Sequence, residues 1–153
     1  MSRLELKIPP DVVWVLVAGL MWPVSVRTPR LDVPSPIRVV VAVALTVAGV
    51  WFVVAARMSL DKAKTTWRPM TPGQSTSLVS TGVYSVSRNP IYLGMLLVML
   101  GLGVALSSPA ALALSVVFVL YLDRFQIEPE ERALSTILGQ QYSAYQTRVR
   151  RWL

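Results

Sequence analysis

Arg88, Asn89 and Tyr92 stand close together, Tyr84 lies just before them, and Glu130 and Glu131 form an adjacent acidic pair further along the chain. These residue types suit a zwitterionic, partly apolar ligand. A guanidinium can hold a carboxylate or phosphate through two parallel hydrogen bonds. An amide both donates and accepts, as does a phenol. Glutamates can accept from an ammonium group or from ribose hydroxyls. The chain has neither histidine nor cysteine. It therefore lacks the commonest general base, the thiolate nucleophile and the commonest metal ligands, and no metal is expected. The chemistry left open is one in which the reactants are aligned and shielded from water.

The elements that must position these residues are apolar. Of 153 residues, 54% are hydrophobic and 15% charged, against roughly 25% charged in an average soluble domain. One domain is expected, residues 1–153, with 69–153 carrying the polar motifs. Residues 12–26 are uncharged. No small-x-small cleavage pattern follows them, so they read as a retained span rather than a signal peptide. Residues 27–36 form a proline-rich connector that cannot be helical throughout. Residues 39–56 form a second uncharged span, bracketed by Arg38 and Arg57. Trp14, Trp22 and Trp51 suit interfacial anchoring or core packing. Residues 58–87 are the longest polar stretch, and a loop of that length suits a binding role.

Residues 89–122 contain no charge. As a single helix they would extend about 51 Å, well beyond a hydrocarbon core of about 30 Å. Pro109 disfavours helix at Ser108, so the stretch predicts a hairpin of helices over 90–106 and 110–123. Pro129 and the glutamates around it suit the start of a last helix. Leu134, Ile137, Leu138, Tyr142, Tyr145 and Val149 recur at steps of three and four, which predicts one amphipathic helix with both tyrosines as packing residues. The expected fold class is an all-α membrane protein of about four transmembrane helices, two spans plus a hairpin, with a C-terminal amphipathic helix.

Lys and Arg fix the orientation. If the N-terminus, the 57–88 stretch and the C-terminus share one side, twelve basic residues lie there, and Arg27, Arg30 and Arg38 lie on the other. That asymmetry predicts a cytoplasmic site. It also brings Arg88 and the acidic pair to one face, because a hairpin returns the chain to the side it left. The formal charge of +7 fits anionic lipid headgroups, and the patterning of a nucleic-acid binder is absent.

The order T-G-V-Y-x-x-x-R-N-P-x-Y-L-G, a hydrophobic hairpin, then E-E-x-x-L-x-x-x-x-G-x-x-Y-x-x-Y resembles the isoprenylcysteine carboxyl methyltransferase and phospholipid N-methyltransferase superfamily, over about residues 76 to 153. The resemblance implies an integral membrane enzyme that transfers methyl from S-adenosylmethionine (SAM) to a lipid-embedded or small hydrophobic acceptor. It implies cofactor contacts at Ser77, Leu78 and Val79, at the turn residue Tyr84, at Arg88, Asn89, Pro90, Ile91 and Tyr92, and at Glu130. Arg88, Asn89, Tyr92 and Glu131 are the implied catalytic group, and residues 69–83 the roof. Gly101 and Gly103 match a G-x-G of the phospholipid enzymes, although small residues in membrane helices usually mark close packing.

Two positions depart from the pattern. Asn89 stands where many relatives have histidine. Gln126 stands where the prenylcysteine enzymes have an arginine for the substrate carboxylate, so Gln126 and the nearby Arg124 are the candidate substrate contacts. Taken singly, Glu130 and Glu131 read as ordinary helix-start acids and Arg88 as an interface anchor. A small four-span transporter or adaptor is the alternative, but residues 12–26, 39–56 and 89–122 lack the ionisable groups that ion coupling uses.

Overall fold

Proline punctuates this fold. In the computed structural model, which describes residues 5–63 and 78–153, a proline occupies one of the first two positions of five helices. In the four helices that start afresh, its missing N–H has no intrahelical partner to lose; the fifth, from Glu128, instead continues the helical run before it. The elements are α1 (Pro10–Ser25), α2 (Ser35–Lys62), a short 3-10 helix (Gly82–Ser85), α3 (Pro90–Ala105), α4 (Pro109–Leu122), a π-helical turn (Asp123–Ile127), α5 (Glu128–Leu138) and α6 (Gln140–Arg148). All regular structure among the described residues is helical.

Two stretches are long and apolar enough to cross a membrane: Ser35–Lys62 and the continuous helical run Pro109–Leu138, whose uncharged part is 109–122 and whose charges begin at Asp123. The apolar helices Pro10–Ser25 and Pro90–Ala105 are shorter. Only 17% of the most apolar window of α2 is buried. Its outer face carries Val40, Val47 and Trp51, and α1 and α4 likewise expose Leu16, Trp22 and Leu120. Such faces suit lipid. α2 exceeds its expected bounds at both ends, because Ser35–Pro36 starts it and the helix-forming residues 57–62 prolong it beyond the apolar window.

α3 is the central element, with α2 on one side and α4 and α1 on the other. Glycine permits the α2–α3 contact. A Cβ on Gly94 would lie 2.5 Å from the Gly49 carbonyl oxygen, and one on Gly101 would lie 2.6 Å from Thr46 Oγ1. One on Gly103 would meet Leu112 and Met21. The G-x-G therefore serves helix packing. Gly94→Val is expected to destabilise the protein by about 1–3 kcal/mol through overpacking, seen as a lower melting temperature in detergent. An unchanged melt would mean that the two helices separate freely. The core holds Met21, Tyr92, Met99, Phe118, Leu122 and Ile127. Trp14 joins it, donating Nε1–H to the Met95 carbonyl at 2.9 Å, whereas Trp22 and Trp51 are exposed.

The two ends of the bundle are tied separately. At one end the α1–α2 connector meets the hairpin turn: Leu31 N–H donates to the Ser107 carbonyl and Ser107 Oγ donates to the Leu31 carbonyl, both at 2.8 Å. At the other end, Pro129 has no N–H for the Phe125 carbonyl four residues back. The helix widens into the π turn there, and the freed carbonyl accepts from Leu6 N–H at 3.1 Å. The chain thus runs on helically from α4 into α5, where a break after 123 was expected. The single amphipathic helix expected at the C-terminus is two helices. Gly139, at φ +51° and ψ −124°, takes a backbone conformation outside the right-handed helical region and separates α5 from α6.

Candidate active site

The second end of the bundle gathers the polar residues. Gly82, at φ +62°, starts the 3-10 helix that carries Tyr84. Ser87–Asn89 then lead into α3, whose first turn presents Tyr92. The π turn and α5 bring Gln126, Glu130 and Glu131 against that mouth.

Consecutive helical residues point about 100° apart, so the two glutamates face different partners. Glu131 meets two guanidiniums. Arg88 Nη2 donates to Glu131 Oε1 at 2.8 Å, and Arg151 Nη2 donates to Glu131 Oε2 at 2.7 Å. Arg88 directs Nη1 to the carbonyls of Gln146 (3.1 Å) and Val149 (3.0 Å). Its Nε is buried with no acceptor among the described residues. The rest of the mouth grips the same tail. Arg88 N–H donates to the Arg150 carbonyl at 3.0 Å, while Asn89 Nδ2 and Ser87 Oγ donate to the Arg151 carbonyl at 3.0 and 3.2 Å.

Among the described residues, Glu130 meets no guanidinium. Tyr92 donates its hydroxyl to Glu130 Oε1 at 2.7 Å, and the buried Gln126 donates Nε2–H to the same oxygen. Burial pushes the Glu130 carboxyl up to about 7. The Gln126 and Tyr92 hydrogen bonds oppose that rise, and the charge of Glu131 adds to it. Part of the residue's surface stays accessible. Burial also lifts the phenols of Tyr84 and Tyr142 above their ordinary range and that of Tyr145 to about 12. All three remain neutral hydrogen-bonding groups at physiological pH.

Arg88, Asn89, Tyr92, Gln126, Glu130 and Glu131 are thus brought together, with Arg88 on Glu131 and Tyr92 on Glu130. Pro90 is buried at the start of α3, and Ile91 packs against the core beside it. Leu78 packs against Tyr142, Tyr145 and Val149; it and Val79 lie in irregular backbone rather than a strand. Tyr145 donates its hydroxyl to the Tyr84 carbonyl at 2.6 Å, so it orders the turn as well as packing. Ser77 and the 69–77 part of the expected roof lie outside the described residues. Arg124 stays apart from Glu130: it is exposed and pairs with Glu128 at 2.9 Å and Glu5 at 4.0 Å. Sequence reasoning missed Ser87, Asp123, Arg151 and Trp152. The one available signal was the run R-V-R-R-W at the end of a chain whose acidic pair needs counter-charge.

The sequence pattern of the phospholipid methyltransferase family matches residues 37–141, from the start of α2 into α6. The chain belongs to this family of membrane methyltransferases. An uncharacterized protein of Haemophilus influenzae is 36% identical over 63 residues, which is 41% of this chain and 100% of that protein. No solved structure matches.

Proposed function

We propose that this family member takes methyl from SAM and passes it to a lipid-borne or small hydrophobic acceptor at the mouth of α3, with the chain acting as one domain. The observation that carries the reading is the split between the two glutamates. Glu131 is neutralised between Arg88 and Arg151. Glu130, beside it, is held by two neutral donors and meets no cation among the described residues. A buried carboxyl in that condition suits a ligand that brings hydroxyls or an ammonium group. The orphaned Nε of Arg88 suits a ligand carboxylate. SAM offers all three groups, so the residues present fit it.

Glu130, Tyr92 and Gln126 would hold the hydroxyl or ammonium side of SAM, and Arg88 its carboxylate side. Asn89 keeps the mouth in place through the tail. When bound, SAM would supply a methyl group already activated on sulfonium. The protein's task is then alignment and exclusion of water. Glu131, gripped by two arginines, serves the frame, and Glu130 is the carboxylate left to accept a proton. Gln126 can hydrogen-bond an acceptor without neutralising an anion, which suits an uncharged or cationic acceptor group. The α2–α3 seam is closed by the Gly49–Gly94 contact, so the acceptor reaches the site elsewhere along α3. The basic excess at this end supports a site on the cytoplasmic face of a multi-pass protein.

Purified protein in lipid bilayers, incubated with methyl-labelled SAM and a membrane lipid extract, is expected to place label in the organic phase. Glu130→Gln should reduce the incorporation at least tenfold, as loss of a charged hydrogen bond worth about 1.5–3 kcal/mol implies. Absence of both SAM binding and labelled product in the intact protein would sink the reading.

A further inference from the structure

Residues 149–152 lie beyond the part of the chain that matches the family, yet each of them makes a contact at this end of the bundle. The carbonyls of Val149, Arg150 and Arg151 accept from Arg88 Nη1, Arg88 N–H and Asn89 Nδ2 respectively. Trp152 Nε1 donates to Asp123 Oδ1 in the π turn at 3.2 Å. Arg151 has its backbone on the mouth of α3 and its guanidinium on α5, with Nη1 3.6 Å from Asp123 Oδ1. Three elements are fastened through this one residue.

We propose that residues 149–152 form a wall of the methyl-transfer site and that Arg151 is its positioning residue, holding Glu131 against Arg88 so that neighbouring Glu130 is left for the ligand. This rests on the reading of the site given above. Arg151 grips Glu131 with two nitrogens, Nε to Oε1 at 3.3 Å and Nη2 to Oε2 at 2.7 Å. Arg88 supplies one nitrogen to the same carboxylate. Removing Arg151 leaves Glu131 half neutralised, one residue from Glu130. A like charge so near disfavours ionisation of Glu130. Among the described residues, the other groups around Glu130 do not compensate. Tyr92 from α3, Tyr84 from the 3-10 helix and Tyr142 from α6 carry phenols, Gln126 is an amide, and Arg88 is already committed to Glu131 and the tail. Arg151 thus acts on the ligand site through Glu131, without touching the ligand.

The test follows SAM binding to the full-length protein in detergent by titration calorimetry between pH 5.5 and 9. In wild type the affinity is expected to rise with pH and level off above a midpoint near neutrality. Arg151→Gln should move that midpoint upward by roughly one unit and weaken binding about fivefold at pH 7. Arg151→Lys keeps a charge and should fall between the two. In Arg151→Gln the further change Glu131→Gln removes the repelling charge and should return the midpoint to the wild-type value. A tail that merely stabilised the fold would not be rescued in this way. An Arg151→Gln protein with the wild-type midpoint overturns the proposal and leaves the SAM reading intact. A midpoint that stays high in the double variant also overturns it. Failure of the wild type to bind SAM at any pH removes the underlying reading instead.

Discussion

Arg88→Met is expected to lower the melting temperature in detergent by on the order of 10 °C and to release the C-terminal tail to protease. The effect is large because Arg88 serves two sets of partners at once. Its side chain is 12% exposed and its partner Glu131 13% exposed. Breaking a pair that deep leaves an under-compensated charge, a loss of about 3–5 kcal/mol. The same change strips the Gln146 and Val149 carbonyls of the Nη1 donor, at about 1–3 kcal/mol for each one left buried. Arg151 still reaches Glu131, so the Coulomb part is softened and the hydrogen-bond part dominates. Arg88→Lys separates the two. An ammonium on that stem keeps the charge beside Glu131 but cannot span Glu131 and two carbonyls with a fixed planar fork. It should therefore retain part of the stability and still expose the tail to trypsin. Arg88→Met combined with Glu131→Met should lose less than the two single losses added together, because each change removes the other's stranded partner. A single Arg88→Met protein with wild-type melting and an intact tail would show that the arginine contributes only surface charge.

The parts of this fold that the sequence made legible rest on covalent restraints and the need to bury apolar surface. Pro109 forces Ser108 into an extended conformation, ψ 113°, and the predicted hairpin turns there. The uncharged runs became helices, and the return of the hairpin brought Arg88 to the acidic pair. What stayed hidden depends on contacts distant in sequence. Nothing local says that Arg151 rather than Arg124 would meet the acidic pair, since both lie near it in a basic chain. Neighbouring positions on a helix point about 100° apart, yet nothing local told which of Glu130 and Glu131 would meet Arg88. The π turn was harder to see, because it needs both the donor missing at Pro129 and a substitute donor arriving from Leu6. Gly139 looked like an ordinary helix residue within a steady apolar repeat. Its mirror-image backbone conformation splits the helix while Leu134, Leu138, Tyr142 and Tyr145 still reach one cluster.

SAM binding is expected to tighten as pH rises from 6 to 8, with Glu130 as the group responsible. Burial raises the Glu130 carboxyl to about 7, so the ligand-free site holds a proton through the mildly acidic range. A ligand that brings hydroxyl or ammonium donors requires the ionised form. Binding must then expel that proton, and affinity should gain up to tenfold per unit well below the midpoint and flatten above it. Calorimetry in buffers of different ionisation enthalpy should count about half a proton released at pH 7, falling toward none at pH 9. Stability without ligand has the opposite slope. The folded state holds this proton more tightly than the unfolded chain, whose carboxyl titrates near 4.5. The Glu130 contribution to stability is complete below that value and is lost as pH rises through about 7. The ligand-free protein should therefore melt lower at pH 8 than at pH 6, while the rise produced by saturating SAM should be larger at pH 8. Glu130→Gln keeps a hydrogen-bonding side chain of similar size but cannot ionise, so it should abolish both slopes and weaken SAM binding by roughly 10- to 100-fold. If that variant keeps the wild-type pH dependence, the titrating group is not Glu130, and the carboxylate assigned to the ligand is wrong.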